Sequence, residues 1–292
     1  MKKMKYLLKL LRPEQWLKNL FVLTPLFFSG QMADNIHFWE AMAAMAAYCL
    51  MASGIYCFND VKDAATDRQH PQKCHRPVAA GHISKQLAVG TGITLAVTAW
   101  VTAWLTVGKR LTDILLCYLV LNVAYCLWLK RIALVDIFII STGFVLRLMA
   151  GSVSTGIALS HWIILMTFLL ALFLALAKRR DDVLIFERGG GQMRKNVERY
   201  NRSFVDTAIA ITVAVTLVCY FMYTLSAEVM ERTGSSHLYL TAIFVLLGMF
   251  RYLQLTMVDA RSGSPTRLLV YDHFLQLCIL CWIASFVIIL YL

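Results

Sequence analysis

FWEAMAAMAAYCLMASGIYCF, Phe38 to Phe58, runs directly into NDVKDAATD, Asn59 to Asp67. The first part is long enough for a helix to cross the roughly 30 Å hydrocarbon core of a bilayer. The second carries Asp60, Asp63 and Asp67, three of only 17 acidic residues in a chain of 292. Lys62, Arg68, Lys73 and Arg76 crowd the same region. Scarce carboxylates at the end of an oily span, followed by cations, mark a membrane protein that handles charge at one face.

The composition agrees. The chain is 59% hydrophobic and 15% charged, with a mean hydropathy of +0.65, which excludes a soluble globular protein. Apolar runs recur at 17–31, 38–58, 86–107, 111–129, 133–156, 161–178, 205–227, 237–257 and 267–291. They predict an all-α integral membrane protein with nine transmembrane helices and one domain covering 1–292. The first run is the least regular, because Pro25 interrupts it. The basic N-terminus leads to no small-residue cleavage site, so no cleavable signal is expected.

The net charge of +11 is explained by topology. With a cytoplasmic N-terminus and nine crossings, 24 of the 28 Lys and Arg residues fall on inner segments. Lys109, Arg110 and Arg232 fall outside, and Arg147 is left within a span. This positive-inside pattern predicts cytoplasmic loops at about 59–85 and 178–203 and a C-terminus outside the cell membrane. Nucleic acid is therefore not the expected partner; lipid bilayer and phosphate-bearing substrates are. Seven of the eight cysteines lie in apolar spans as small hydrophobes. Cys74 with His70, His75 and His82 lacks the spacing of a zinc site.

Continued as a helix, Asn59, Asp60, Asp63 and Asp67 point at about 0°, 100°, 40° and 80°, one oxygen-rich face. Carboxylates so close repel one another, so a cation is expected among them. Sparse oxygen donors suit magnesium, which completes its shell with waters and substrate phosphates. A solvated helix end beside the headgroups is the plainer alternative. It is weakened by Lys73 and Arg76, which a diphosphate would also require. A second stretch, AKRRDDVLIFERGGGQMRKNVERYNRS, sets Asp181, Asp182 and Glu187 beside Lys178, Arg179, Arg180 and Arg188. Its triple glycine breaks the helix, and it lacks the GK[ST] ending of a Walker loop. Two carboxylate clusters embedded in cations and facing one compartment read as a magnesium–diphosphate site.

NDVKDAATDRQHPQKCHRPVAAGHIS resembles the first signature of the UbiA-type intramembrane prenyltransferases, NDxxDxxxD followed by basic residues and RPxAxGxIS. The resemblance implies a helical bundle around a central cavity, with magnesium held between two acidic motifs. Three further pieces resemble one branch, the polyprenyl-phosphate phosphoribosyltransferases. They are LRPEQWLKN (Leu11 to Asn19), GFVLRLMAG (Gly143 to Gly151) and KRRDD running into FERGG. That branch couples 5-phosphoribosyl diphosphate to a polyprenyl phosphate, usually decaprenyl phosphate. The second motif departs from the wider family's DxxxD: Phe186 stands four places after Asp182, and Glu187 one later.

The resemblance implies Asp63, Asp67 and Asp182 as catalytic carboxylates that share Mg2+ with Asn59 and Asp60. Lys73, Arg76, Lys178, Arg179 and Arg188 are the expected ligands of the diphosphate. A lipid phosphate is already an anionic nucleophile and needs cations near headgroup level, a place suited to Lys18 and Asn19. Arg147, a charge inside a span, is a functional candidate by default, with an interhelical contact as the alternative. An aromatic acceptor such as 4-hydroxybenzoate, attacked by a prenyl diphosphate, is the second expected chemistry. A transporter is disfavoured, because the acids cluster at one face and not at the midplane.

Overall fold

A computed structural model describes residues 2–32, 34–69, 73–187, 197–259 and 265–291, and every regular element among them is helical. Short 3-10 turns aside, in order these are α1 (Lys2–Leu11), a 3-10 helix (Pro13–Leu23), α2 (Thr24–Phe28), α3 (Asn35–Asp67) and α4 (Lys85–Thr106). Then come α5 (Lys109–Leu127), α6 (Val135–Thr155), α7 (His161–Glu187), α8 (Arg202–Thr224) and α9 (Ala227–Thr233). The chain ends with α10 (Ala242–Leu253), a π-turn (Gln254–Val258), α11 (Pro265–Tyr271) and α12 (His273–Tyr291). It divides into two compact units, Met1–Lys130 with Leu146–Ala158, and Arg131–Val145 with Leu159–Leu292.

Among the described residues, seven helical stretches are long and apolar enough to cross a membrane: α3 to α8 and Leu238–Val258. Two predicted spans differ from expectation. The stretch expected at 17–31 is a 3-10 helix followed by the five-residue α2, each opened by a proline in its first turn. Proline removes a backbone donor and clashes with the preceding turn, which suits a helix start and prevents one continuous α-helix. The stretch expected at 267–291 breaks at Asp272, whose side chain accepts the Leu275 N–H at 2.8 Å and starts α12 afresh.

In the first unit, Asp34 caps α3 by accepting the Ile36 N–H at 2.9 Å. At 33 residues, α3 extends for about 50 Å, well beyond the hydrocarbon thickness. Its last turns therefore carry the acidic face out of the apolar zone without a break. α3 meets α4 backbone to backbone: a Cβ on Gly54 would lie 2.8 Å from the Gly92 carbonyl oxygen. Ala88, Gly92, Ala99 and Ala103 line the buried side of α4, the small-residue contact by which helices associate in lipid. Tyr48, Met51 and Ile55 of α3 pack with Leu111, Leu115 and Tyr118 of α5.

The GFVLRLMAG piece ends in a second close approach. A Cβ on Gly151 would run into the Val22 carbonyl of the 3-10 helix. We predict that Gly151→Ala displaces this helix and costs about 1–3 kcal/mol, the usual penalty of overpacking. A melting curve in detergent measures it, and an unchanged midpoint would refute the contact.

The second unit is built on Phe173, Leu176, Val205, Ile209, Val213, Met249, Tyr252 and Leu275. Through it runs Arg180 of α7, only 1% exposed. It donates to Asp206 of α8 and to the Thr256 carbonyl, both at 2.6 Å. The wider π-turn closes from Asp259 N–H to Gln254 C=O, a local departure from the α ladder that gives the guanidinium its acceptor.

Candidate active site

The helical reading of 59–67 holds, but the carboxylates are not left to repel one another. In the first unit each has its own cation. Arg12 sits at the corner between α1 and the 3-10 helix with φ at 53°, in the left-handed region. From there it donates to Asp60, with its guanidinium 5.0 Å above the Tyr56 ring. Ser53 fixes that corner by donating to the Leu11 carbonyl at 2.9 Å and accepting from Trp16 Nε1 at 3.0 Å. Arg76 donates to Asp67 at 2.6 Å and lies 3.5 Å from Asp60. Lys130 holds both oxygens of Asp63, at 2.6 and 2.8 Å. Asn59 accepts from the Cys126 thiol at 3.3 Å.

The RPxAxGxIS piece explains how Arg76 is aimed. Its N–H bonds the Lys73 carbonyl at 2.9 Å, and its own carbonyl accepts the Ala80 N–H at 2.8 Å. Gly81 then turns at φ 77°, a conformation that carries no Cβ penalty in glycine, and Ser84 caps α4. Lys73 sits half-buried in the short 3-10 turn before Arg76.

Three carboxylates matched by three cations give a locally neutral cluster, and among the described residues no three His, Cys, Asp or Glu side chains converge as a metal cage. The donor set still fits magnesium, which takes one or two carboxylates and fills its shell with water and substrate phosphate. Asp60 is only 1% exposed, and its Oδ2 is buried without a hydrogen-bond partner among the described residues. Such an orphan is costly, and a hard cation would satisfy it.

Asn19 and Arg147, read separately in the sequence, meet in the first unit. Arg147, 5% exposed, donates to Asn19 Oδ1 and to the Tyr118 hydroxyl, each at 2.7 Å. Its guanidinium also lies 4.9 Å from the Tyr118 ring centroid and 5.6 Å from that of Tyr48. Asn19 donates onward to the Cys49 sulfur at 3.2 Å. The arginine therefore clamps the QWLKN helix to α3 and α5, with half-buried Lys18 next to the clamp.

In the second unit, α7 does not end near 178 but continues to Glu187. Residues 178–187 are thus helix where a loop was expected, and the i, i+3 spacing lets Arg179 and Asp182 pair on one face. Arg179, 1% exposed, also donates through Nε to the fully buried Asp136 at 2.7 Å. The Tyr200 hydroxyl donates to the other oxygen of Asp136 at 3.0 Å and accepts the Leu134 N–H at 2.7 Å. Leu134 has φ at 67°. Burial pushes the Tyr200 hydroxyl up to about 12, so it stays a donor. Lys178 is exposed on α7. Arg188 and the triple glycine lie outside the described residues.

Arg12, Lys130, Tyr118 and Tyr200 are the residues that sequence reasoning missed. Arg12 and Lys130 stood there only as inner-side charges, and the position of Lys130 after a span was the one available signal.

The UbiA prenyltransferase family matches residues 21–267, a stretch that includes both acidic clusters. The decaprenyl-phosphate phosphoribosyltransferase of Mycolicibacterium smegmatis is 32% identical over 289 residues, covering 96% of this chain and 90% of that protein. The protein of the same name from Corynebacterium glutamicum is 30% identical over 292 residues, covering 98% and 87%. A solved UbiA homolog from Archaeoglobus fulgidus, bound to GPP and Mg2+, has the same fold. It superposes with a TM-score of 0.75 at 18% identity, covering 98% of this chain and 100% of that one. With its helical membrane fold, its NDxxDxxxD helix and these matches, the chain belongs to the UbiA prenyltransferase family.

Proposed function

We propose that this protein transfers 5-phosphoribose from 5-phosphoribosyl diphosphate to a polyprenyl phosphate of decaprenyl type, releasing diphosphate. The observation that carries the reading is the near-full-length likeness to two decaprenyl-phosphate phosphoribosyltransferases. The cation-matched carboxylates of α3 support it, since they suit a polyanionic leaving group. Asn59, Asp60, Asp63 and Asp67 of the first unit, and separately Asp182 of the second, are the residues that would hold magnesium. When bound, that ion neutralises the departing diphosphate. Lys73, Arg76, Lys178 and Arg188 take up the negative charge that grows as the bond to the anomeric carbon breaks, and Arg179, buried against Asp136 and Asp182, acts on the donor through Asp182. An oxygen of the lipid phosphate, already anionic, attacks that carbon without a general base.

Lys18 and Asn19 receive the lipid phosphate. On this reading Lys18→Ala raises the KM for polyprenyl phosphate about tenfold, the order expected for one charge-assisted contact, and leaves the KM for the sugar donor within about twofold. Equal losses for both substrates would refute the assignment. From the distribution of basic residues, we place the N-terminus, residues 59–85 and residues 178–203 in the cytoplasm and the C-terminus outside.

The test is diphosphate release by the purified protein in detergent. Release that requires magnesium, the sugar donor and the lipid phosphate together, and that stops on chelation, supports the reading. Release only with a prenyl diphosphate and an aromatic acid would replace it with the other chemistry of the family.

A further inference from the structure

We infer that Asp136 and Tyr200 are positioning residues for the second acidic cluster: they fix Arg179, and through it Asp182, in the second unit. The inference rests on the reading that Asp182 serves the metal-bound sugar donor.

The observations form a chain. Asp182 is partly exposed, with 22% of its side chain accessible, whereas its partner Arg179 is 1% exposed. A guanidinium buried so deeply needs a fixed counter-charge. Asp136, whose side chain is fully buried, supplies it from α6. The Asp136 carboxylate is in turn held in one rotation: Oδ2 faces Arg179 and Oδ1 faces the Tyr200 hydroxyl. Tyr200 cannot drift, because its oxygen also accepts from the Leu134 backbone just before α6. The order is therefore Leu134, Tyr200, Asp136, Arg179, Asp182, running from a backbone N–H through buried side chains to an accessible carboxylate. Arg179 has two carboxylates and Asp182 is the accessible one. Asp182 can turn to another cation while Asp136 keeps the guanidinium neutralised and in place. Such outer partners of a metal-binding carboxylate set its orientation and basicity.

Direct binding tests this without turnover. The full chain in detergent is titrated with Mn2+ in the presence of 5-phosphoribosyl diphosphate and without polyprenyl phosphate, by calorimetry or by loss of the free Mn2+ resonance signal. Wild type is compared with Tyr200→Phe, Asp136→Asn and Asp182→Asn. Mutating such outer partners costs about 10–100-fold in metal affinity. Asp136→Asn is expected in that range, and Tyr200→Phe, which removes one hydroxyl and keeps the charge, at its lower edge. The KM for polyprenyl phosphate should stay within about twofold for both, as the two residues act on the side of the sugar donor. If Asp136→Asn fails to fold, Tyr200→Phe decides alone. Loss of binding in Asp182→Asn, with Tyr200→Phe and Asp136→Asn binding like wild type, would overturn the positioning role and leave the second cluster's role standing. Wild-type binding by Asp182→Asn would overturn both. A lower melting point with unchanged Mn2+ affinity would reduce the two residues to structural supports and also overturn the inference.

Discussion

Asp67→Asn is expected to lower phosphoribosyl transfer by about 10²-fold or more, the scale seen when one preorganised charge-stabilising group is removed. Asparagine keeps the shape of the side chain but brings no charge. Asp67 is 4% exposed, on the last turn of α3, and accepts from Arg76 at 2.6 Å. After the substitution Arg76, itself partly exposed, still has Asp60 at 3.5 Å, so the cation is not stranded. The protein should reach the membrane at normal levels and melt close to wild type. The loss therefore falls on the chemistry: one anionic oxygen donor fewer for the ion, and an arginine drawn towards Asp60. Initial rates at saturating substrates, beside expression and melting controls, measure it. A near-normal rate would remove Asp67 from the metal-binding set.

Arg147→Met carries the second large effect, and it falls on stability first. The substitution keeps an unbranched apolar side chain in α6 but leaves Asn19 Oδ1 and the Tyr118 hydroxyl, both buried, without their donor. Each unsatisfied group costs roughly 1–3 kcal/mol, so a loss of about 2–6 kcal/mol is expected. The released 3-10 helix also carries Lys18. The folded fraction should show a raised KM for polyprenyl phosphate with little change in donor binding. Arg147→Lys should recover part of the stability and little of the geometry, because an ammonium cannot reproduce the planar fork. Equal stability of wild type and Arg147→Met would contradict the clamp.

Local sequence carried the acidic helix. Asn59, Asp60, Asp63 and Asp67 lie within nine positions, and helical spacing alone puts them on one face. It did not carry their partners. Arg12 is 48 residues from Asp60, and Lys130 is 67 from Asp63; both contacts are made by helices packing, which no local period records. Asp136 and Arg179 are 43 apart, and Asn19 and Arg147 are 128 apart. The 17–31 stretch was misjudged because hydropathy counts apolar residues and gives little weight to prolines. The 178–187 stretch was misjudged because charge suggested a loop, while the Arg179–Asp182 pair and the absence of glycine before Gly189 favoured more helix. The Arg147–Asn19 contact gives a physical reason for two motif pieces, LRPEQWLKN and GFVLRLMAG, to occur in one chain.

The most direct measurement of the central claim is the mass of the lipid product. Purified protein with magnesium, 5-phosphoribosyl diphosphate and decaprenyl phosphate should yield a lipid heavier than the acceptor by one phosphoribosyl group. It should form in step with diphosphate, and about 10²-fold or more slowly with Asp67→Asn. If the acceptor's mass is unchanged, while a prenyl diphosphate and 4-hydroxybenzoate give a prenylated acid, this protein is not a phosphoribosyltransferase.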